Sequence, residues 1–518
     1  MKLAEHRGWK QILCAVLVLV VLMARVPLLW RTGEFVAEDG WVFFADAWNH
    51  PGLSSLLAPY AGYFHLLPRL IAAVWSGLPI AAQPCAFAFT GLALDAIILS
   101  AFYLPAFRRL LPSDAGRLAV VLFLAIAPNA ENVGLLLGLH WYLAFLLALL
   151  LVAPVPAQPG ARYALLGLAF LCVWSSPSTL VLLPFAAVAW WRTRDRFARV
   201  QFAAIVAMLA MSAVALFLLR AAGAVRTAPV GWLDVVRSVD RLVLRGWLGT
   251  ALFGPQLAGY LAHAAPLLLD VVMGLVAIAL GVWLWRRRSQ PATRAAAVLL
   301  GAAVLMLLLS LARTAYVTEL AGLALPRHVR YATAPTLLLY AALGVLIAGA
   351  APGFRRGWLA AASISGILLV VALPGQNHWA RPAVRFHLRD ALPAIQHLRT
   401  QHAFDGKPAS LYLPADVPYW GPVLEVGGGV VIPPDTGLAK AIDATPRTDG
   451  SFDSWLGRFR KKDGPWIEHA ALGRLEFTGV EQGRVFFRDT GGALIFTSPL
   501  LYPRWWKLDH FEWTLMEP

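Results

Sequence analysis

The sequence has few charged residues and almost no cysteine. Asp, Glu, Lys and Arg make up only 14% of the 518 residues, whereas 59% are hydrophobic and the mean hydropathy is +0.64. A soluble globular chain carries roughly a quarter charged residues, so this composition excludes that class and predicts a polytopic membrane protein. The three cysteines all fall in apolar stretches, which argues against a disulfide framework and a thiolate zinc site.

Acidic residues are also scarce, 29 against 44 Lys and Arg, but the excess cations are not spread evenly. They gather in alternate loops between the apolar runs, as the positive-inside rule requires of cytoplasmic loops. This distribution predicts a cytoplasmic N-terminus and an extracytoplasmic C-terminus. It also explains the basic pI without any role for nucleic acid.

Apolar runs predict an α-helical membrane domain over residues 1–373 with about eleven spans. The first covers residues 12–30, and the others cover residues 84–107, 117–129, 140–155, 162–174, 179–191, 200–219, 264–285, 295–312, 331–350 and 357–373. Two further stretches, at about residues 39–49 and 64–79, predict juxtamembrane helices. The more polar remainder, 374–518, predicts a small extracytoplasmic domain of α/β or mostly β type.

Two adjacent carboxylates, Glu38 and Asp39, lie just after the first apolar run, in AEDGWVFFADAW. Phe43 and Ala47 recur there at helical spacing. We therefore expect an interfacial helix with these two side chains on lipid headgroups and with Asp39 facing a wet loop. Acids at a helix start also cap free amides and complement the helix dipole, and that explanation stays open.

Three more ionisable residues lie at or inside the predicted spans. Glu131 is in the PNAEN turn at the outer end of a span, where a solvated turn is an equally good explanation. Arg25 is expected to snorkel to the far interface. Asp95 is the position that a transporter would use, because transporters place charged groups near the bilayer midplane.

Cationic and titratable residues are predicted on the same outer side. His65 and Arg69 are four residues apart in HLLPRL and share a helical face, although such residues commonly face headgroups. Arg327 and Arg330, in PRHVRYATAP, adjoin the start of a span on the side where cations are disfavoured. An anionic ligand is a natural reason for cations at that place.

Together these segments resemble the GT-C superfamily of integral membrane glycosyltransferases, which use polyprenyl-phosphate sugar donors. In its aminoarabinose transferases and protein O-mannosyltransferases, the first outer loop carries an Asp-Glu pair, an aromatic residue four positions on and an Ala eight positions on. Asp39, Phe43 and Ala47 fit that spacing, although Glu38 precedes the Asp here instead of following it. HLLPRL resembles the second juxtamembrane element, and PRHVRYATAP resembles the Arg-Tyr start of a later span that meets the donor phosphate.

The resemblance implies an enzyme of the bacterial inner membrane that moves a sugar, with inversion, from a polyprenyl-phosphate donor to a periplasmic glycan, lipid or protein acceptor. The implied catalytic residues are Asp39, Glu38 and Glu131, and the implied donor-phosphate residues are Arg330, Arg327, Arg69 and His65. No His/Cys spacing predicts a metal site, although the acids are able to hold a divalent ion. A lipid-linked saccharide flippase or exporter is the alternative, and a membrane anchor for a C-terminal binding domain is a third class.

Overall fold

The computed structural model describes residues 2–31, 35–36, 38–221, 240–313, 331–350, 352–376, 409–412, 423–426, 438–442, 444–454, 456–481, 484–497, 505–509 and 512–516. The chain divides into two compact units. The first comprises Met1–Arg31, Leu56–Ile71 and Phe87–Ala380. The second comprises Thr32–Ser55, Ala72–Ala86 and Arg381–Pro518, so the first predicted outer loop clusters with the C-terminal part of the chain.

Helices dominate the first unit. In chain order the α-helices of the protein are α1 (Lys2–Arg25), α2 (Pro27–Arg31), α3 (Ala45–Asn49), α4 (Leu53–Leu57), α5 (Leu66–Trp75), α6 (Gln83–Ser100), α7 (Asp114–Ala125), α8 (Leu139–Val152), α9 (Pro159–Ser175), α10 (Leu183–Arg192), α11 (Arg196–Ala221), α12 (Thr250–Phe253), α13 (Pro255–Ala264), α14 (Pro266–Arg286), α15 (Pro291–Arg313), α16 (Thr333–Ala348), α17 (Pro352–Gln376) and α18 (Leu438–Ala441). Two π-helices, Asp39–Phe44 and Asp240–Gly249, precede α3 and α12.

Within the described residues, six helices are long and apolar enough to cross a membrane. They are Gly8–Arg25, Ile80–Arg109, Arg196–Leu219, Pro266–Arg286, Pro291–Leu309 and Arg355–Leu373. A seventh is obtained if α9 and α10, which meet at a bend of 118°, form one broken span. These helices are consistent with a membrane-embedded multi-pass protein. Every run predicted as a span falls on a helix, but the count of eleven stays a prediction.

The core of the first unit is built on two short apolar helices. Nearly every residue of α8 and most residues of α16 are buried, so each is hydrophobic on all sides and covered on all sides. Helices α7 and α15 pack against α16. By contrast, only 11% of the apolar window of α14 and 6% of that of α17 are buried, as expected for helices that face lipid.

The second unit contains an antiparallel sheet. A hairpin joins β1 (Ala409–Tyr412) to β2 (Val423–Val426). The remaining strands form a nine-stranded sheet in which each strand pairs with its neighbour in sequence: β3 (Thr445–Pro446), β4 (Ser451–Ser454), β5 (Gly457–Lys461), β6 (Trp466–His469), β7 (Gly473–Glu481), β8 (Arg484–Asp489), β9 (Leu494–Thr497), β10 (Trp505–Asp509) and β11 (Glu512–Met516).

One face of this sheet forms the core of the second unit. Five strands each contribute a buried side chain to this core, and these side chains pack together: Phe459, Leu475, Phe487, Ile495 and Trp505. The apolar alternation of RLEFTGV, RVFFRD and ALIFTSP predicts three strands, and the structure confirms them as β7, β8 and β9. The aromatic end of the chain forms the terminal strands β10 and β11.

Candidate functional site

The Glu38–Asp39 pair begins an irregular helix of the second unit. Asp39 is the first residue of the π-helix Asp39–Phe44, which continues directly into α3. Its side chain is only 4% exposed, and Phe43 is 1% exposed. Our expectation of a wet loop for Asp39 and of lipid headgroups for Phe43 and Ala47 is therefore wrong. All three side chains are buried in protein because this segment packs inside the second unit.

Two contacts hold this segment within the second unit. Phe44 stacks on Phe35 with ring centroids 4.3 Å apart, and α3 packs against β2. Glu38 holds the N-cap position, but its side chain makes no capping hydrogen bond. Helix capping therefore does not explain Glu38, and it stays an alternative for Asp39. π-Helical turns are rare in proteins, and those that occur are frequently found at functional sites. The π-helix therefore keeps Asp39 a candidate for a catalytic residue.

A tight turn in the first unit leads into α5. Tyr60 and Tyr63 exchange two backbone hydrogen bonds across Ala61 and Gly62, both of which have positive φ, at 50° and 82°. Among the described residues Ala61 is the only non-glycine residue with positive φ. This conformation costs a residue with a Cβ about 1–2 kcal/mol, and such strain is often found at functional sites. The turn brings both tyrosine rings against His65.

His65 and Arg69 are buried at the start of α5. The backbone amide of Arg69 donates to the carbonyl of His65, so the two side chains lie one turn apart. His65 is 0% exposed and Arg69 is 2% exposed. The alternative in which they face lipid headgroups therefore does not hold. The α5 start is also held by the amide of Leu67, which donates to the hydroxyl of Ser175 at 2.8 Å.

A chain of aromatic rings connects His65 to the start of α16. The His65 ring lies 4.1 Å from the ring of Tyr63 and 6.2 Å, edge-on, from that of His140. His140 lies 4.4 Å from Trp141, whose ring meets Tyr331 at 6.3 Å. We call these five residues the ring cluster. Tyr331 follows Arg330 directly in the chain, so the cluster connects the HLLPRL and PRHVRY segments.

Hydrogen bonding fixes the tautomer of His140. Its Nδ1 atom lies 2.5 Å from the carbonyl oxygen of Leu137, which can only accept. Nδ1 must therefore carry the proton, and Nε2 of a neutral His140 is the basic nitrogen.

Glu131 lies in the irregular backbone between α7 and α8, residues 126–138, which we call the Glu131 segment. It is half-buried within the 3₁₀ turn Ala130–Asn132, and one of its carboxylate oxygens is buried. The side-chain amide of Asn132 donates to the hydroxyl of Thr333 at 2.7 Å. Because Thr333 is two residues from Tyr331, the Glu131 segment and the start of α16 lie side by side.

Arg25 and Asp95, which lie inside predicted spans, contact the same segment. Arg25 is 3% exposed, and its Nη2 atom donates to the carbonyl of Ala127 at 2.7 Å. The expectation that it snorkels is wrong, because the end of α7 offers it carbonyl acceptors inside the protein. Asp95 is 0% exposed and accepts a hydrogen bond from the amide of Gly134 at 2.8 Å.

Arg327 and Arg330 lie outside the described residues, so their predicted role in phosphate binding stays a prediction. Among the residues that the structure describes, no three His, Cys, Asp or Glu side chains are grouped to hold a metal ion. The binding of a divalent ion by the acids likewise stays a prediction. The first unit thus brings together His65, Arg69, Glu131 and Tyr331, and the second unit holds Glu38 and Asp39.

Sequence reasoning missed His140, Trp141 and Tyr63. The signal for His140 was present: a titratable residue within the apolar run Leu139–Val152 is rare and is by default a functional candidate. Trp141 and Tyr63 carried no comparable signal, because aromatic residues are common at membrane interfaces.

Comparisons with known proteins identify no relative of this chain. No protein-family model, no curated protein and no solved structure matches this chain. What the protein does is therefore inferred from its own residues and their geometry.

Proposed function

We propose that the protein is a membrane glycosyltransferase that moves a sugar from a polyprenyl-phosphate donor to an extracytoplasmic glycan, lipid or protein acceptor. The observation that carries this proposal is the meeting of three segments in the first unit. The buried His65 and Arg69, the Glu131 segment and the residue after Arg330 adjoin one another through the ring cluster and the Asn132–Thr333 hydrogen bond.

This combination suits transfer from a lipid phosphate. The acceptor hydroxyl forms a new C–O bond at the anomeric carbon, while the C–O bond to the donor phosphate breaks and the phosphate leaves with the electron pair. A carboxylate base takes the hydroxyl proton, and arginine stabilises the departing phosphate. A single displacement inverts the anomeric centre. We assign the base to Asp39, Glu131 to the developing positive charge on the sugar, and the phosphate to Arg330, Arg327, Arg69 and His65.

A flippase or exporter finds no comparable support among the described residues. Of the charges inside predicted spans, Arg25 and Asp95 hydrogen-bond the backbone of the Glu131 segment, and Asp270, nearer the end of its span, pairs with Arg245. A transporter would instead use such charges to bind and release its cargo near the bilayer midplane. This alternative becomes an outcome of the experiment below.

The test measures transfer of radiolabelled hexoses and pentoses from polyprenyl phosphate by the full chain in lipid nanodiscs. Asp39→Asn removes the proton acceptor and keeps the shape, so transfer should fall by at least about 100-fold. The matched control is Asp46→Asn, an acid of the same segment, which should stay within about threefold of wild type. Abundance is measured for each variant because Asp39 is buried.

The same comparison separates the alternatives. If Asp39 only caps the helix, Asn replaces it without loss, because Asn caps as well as Asp. A transporter would lose function with Asp95→Asn and tolerate Asp39→Asn. Full transfer activity in the Asp39→Asn variant would rule out the proposed role of Asp39.

A further inference from the structure

We infer that Arg25, Asp95 and Thr333 are positioning residues that hold the Glu131 segment in one non-helical conformation. The inference deepens the proposed function and rests on it, because it assigns these residues to the geometry of the reaction. It also gives a role to Arg25 and Asp95, which lie inside predicted spans and take no part in the proposed chemistry.

The Glu131 segment needs partners because it is irregular and largely buried. Helix α7 ends at Ala125 and α8 begins at Leu139. Most of the described residues between them are buried within the first unit. Buried amides and carbonyls outside regular helix must be satisfied by other protein groups or by enclosed water.

Arg25 satisfies the end of α7. Its Nη1 atom donates to the carbonyl of Ala125 and, at 3.2 Å, to the side-chain oxygen of Asn129. Its Nη2 atom donates to the carbonyl of Ala127. The last carbonyls of a helix have no partner within the helix, and a buried guanidinium supplies several donors in one plane. Arg25 thus fixes the N-terminal half of the Glu131 segment to α1.

Asp95 satisfies the other half. Its carboxylate accepts from the amide of Gly134, which has a φ of 75° that favours glycine. Gly91, one turn before Asp95 on α6, lies so close that a Cβ there would stand 2.2 Å from the carbonyl oxygen of Gly134. The C-terminal half of the segment is thereby pressed against α6.

Thr333 anchors the residue beside the acid. Its hydroxyl accepts from Asn132, and Asn129 on the other side of Glu131 donates to the hydroxyl of Tyr142 at 2.9 Å. Glu131 is the only ionisable residue in positions 126–138. Helices α1, α6, α8 and α16 therefore all hold the segment that carries this single acid.

The use of buried charges argues for more than a structural turn. Burying an arginine and an aspartate costs several kcal/mol per ion before any hydrogen bond is formed, and neutral side chains can also satisfy backbone groups. The buried charges make the segment rigid, because charge-assisted hydrogen bonds are stronger than neutral ones and hold their partners in a narrower range of geometry. A catalytic acid needs that rigidity, since small displacements of a reacting group lower the rate strongly.

The first experiment tests the positioning without measuring any reaction. Hydrogen exchange of the amides in residues 129–136 is compared between wild type, Thr333→Val and Thr336→Val, in nanodiscs. Thr336 is a buried threonine one turn further along the same helix and is the matched control. We expect exchange to be at least about fivefold faster in Thr333→Val and unchanged in Thr336→Val. Equal exchange in the two variants would overturn the inference.

The second experiment measures kcat and donor KM separately. Thr333→Val and Asp95→Leu should lower kcat by about 10- to 100-fold and leave donor KM within about twofold. Asp95→Asn keeps an acceptor for the Gly134 amide, so it should recover activity to within about threefold of wild type. An unchanged kcat in Asp95→Leu, or an Asp95→Asn as slow as Asp95→Leu, would overturn the inference. If wild type transfers no sugar, the proposed function fails, while the exchange comparison still decides the positioning.

Discussion

Arginine side chains in the first unit repeatedly hold carbonyl groups at helix ends. Arg117 is 1% exposed and donates to the carbonyls of Tyr103, Leu111 and Pro112, in addition to an ion pair with Asp114. Arg162 binds two carbonyls in the connection before α9 in the same way. At the scale of single residues, arginine therefore stabilises helix ends here by hydrogen-bonding their carbonyl groups. Its distribution along the sequence separately predicts the membrane orientation.

The donor-phosphate prediction concerns Arg330 and the buried Arg69. Replacing either by Ala should weaken donor use by about 2 kcal/mol or more, about 30-fold in kcat/KM, because charge-assisted contacts in a poorly hydrated place are strong. Steady-state kinetics with a polyprenyl-phosphate sugar give this value. Arg31→Ala is the control, since Arg31 is exposed at the end of α2. An Arg330→Ala variant with normal kcat/KM would contradict the assignment.

A prediction about pH belongs to His469 in the core of the second unit. Its Nε2 atom lies 2.8 Å from the carbonyl of Leu456, and its Nδ1 atom accepts from the amides of Ala471 and Leu472. Burial lowers the pKa of His469 below its usual value, although the hydrogen bond to Leu456 opposes this. The unfolded chain therefore binds more protons, so the stabilisation is complete above pH about 6.5 and is lost as pH falls through the lower folded-state pKa.

Hydrogen exchange of strands β5 to β9 in the full chain measures this effect. After the measured rates are corrected for the pH dependence of intrinsic exchange, exchange should accelerate as the pH falls from 7.5 to 5. Residue 469 cannot titrate in the His469→Gln variant, so this variant should not show the acceleration of exchange. It should still lose stability at lower pH. That later loss arises because hydrogen bonds from Arg458 and Arg447 lower the pKa of Asp453. An acceleration between pH 7.5 and 5 that persists in His469→Gln would contradict the prediction.

At the scale of elements, the packing of α6 against the Glu131 segment depends on glycine. A Cβ at Gly91 meets backbone, which cannot move aside as a flexible side chain can. Gly91→Ala should therefore lower the free energy of unfolding by about 1–3 kcal/mol. Gly274→Ala in α14, where nothing lies within 4 Å, should be neutral or stabilising by up to about 1 kcal/mol. Unfolding in a detergent titration compares the two, and equal midpoints would refute the close contact.

Helices and strands were predictable where the signal is local. Apolar runs predict helices because every backbone group in a membrane must be satisfied within its own segment, and alternation predicts β7 to β9 because their core lies on one face. The irregular Glu131 segment was predictable only as a turn. Its conformation depends on Arg25, Asp95 and Thr333, which come from distant parts of the chain and leave no periodic pattern around Glu131.

The candidate site shows the same limit. Glu131, His65 and Arg69 were identified from residue type and spacing, and the structure places them in one unit. Burial of Asp39 was not predicted, because its segment clusters with residues from distant parts of the sequence, Ala72–Ala86 and Arg381–Pro518. Hydrophobic periodicity identified Phe43 and Ala47 as residues to be covered, but it did not predict that protein covers them or that Asp39 is buried with them.

At the scale of the whole molecule, the orientation in the membrane is the main prediction. The cation distribution predicts that the C-terminal residues lie outside the cytoplasm. An alkaline phosphatase fused after Pro518 should be active, and one inserted in the basic loop at Arg287 should be inactive. Activity in the reverse pattern would contradict the predicted orientation from the basic loop onward, and an inactive fusion at both places would mean that the span count after Arg287 is wrong by one.

The contact between α3 and β2 has a consequence for biogenesis. The nine-stranded sheet pairs only sequence neighbours, so each hairpin can form as soon as it has been synthesised. Helix α3 must instead wait for a strand that is synthesised hundreds of residues later. The second unit can therefore complete its packing only after synthesis reaches the C-terminal part of the chain, so the order of synthesis sets when the acid-bearing segment next to α3 becomes part of a finished unit.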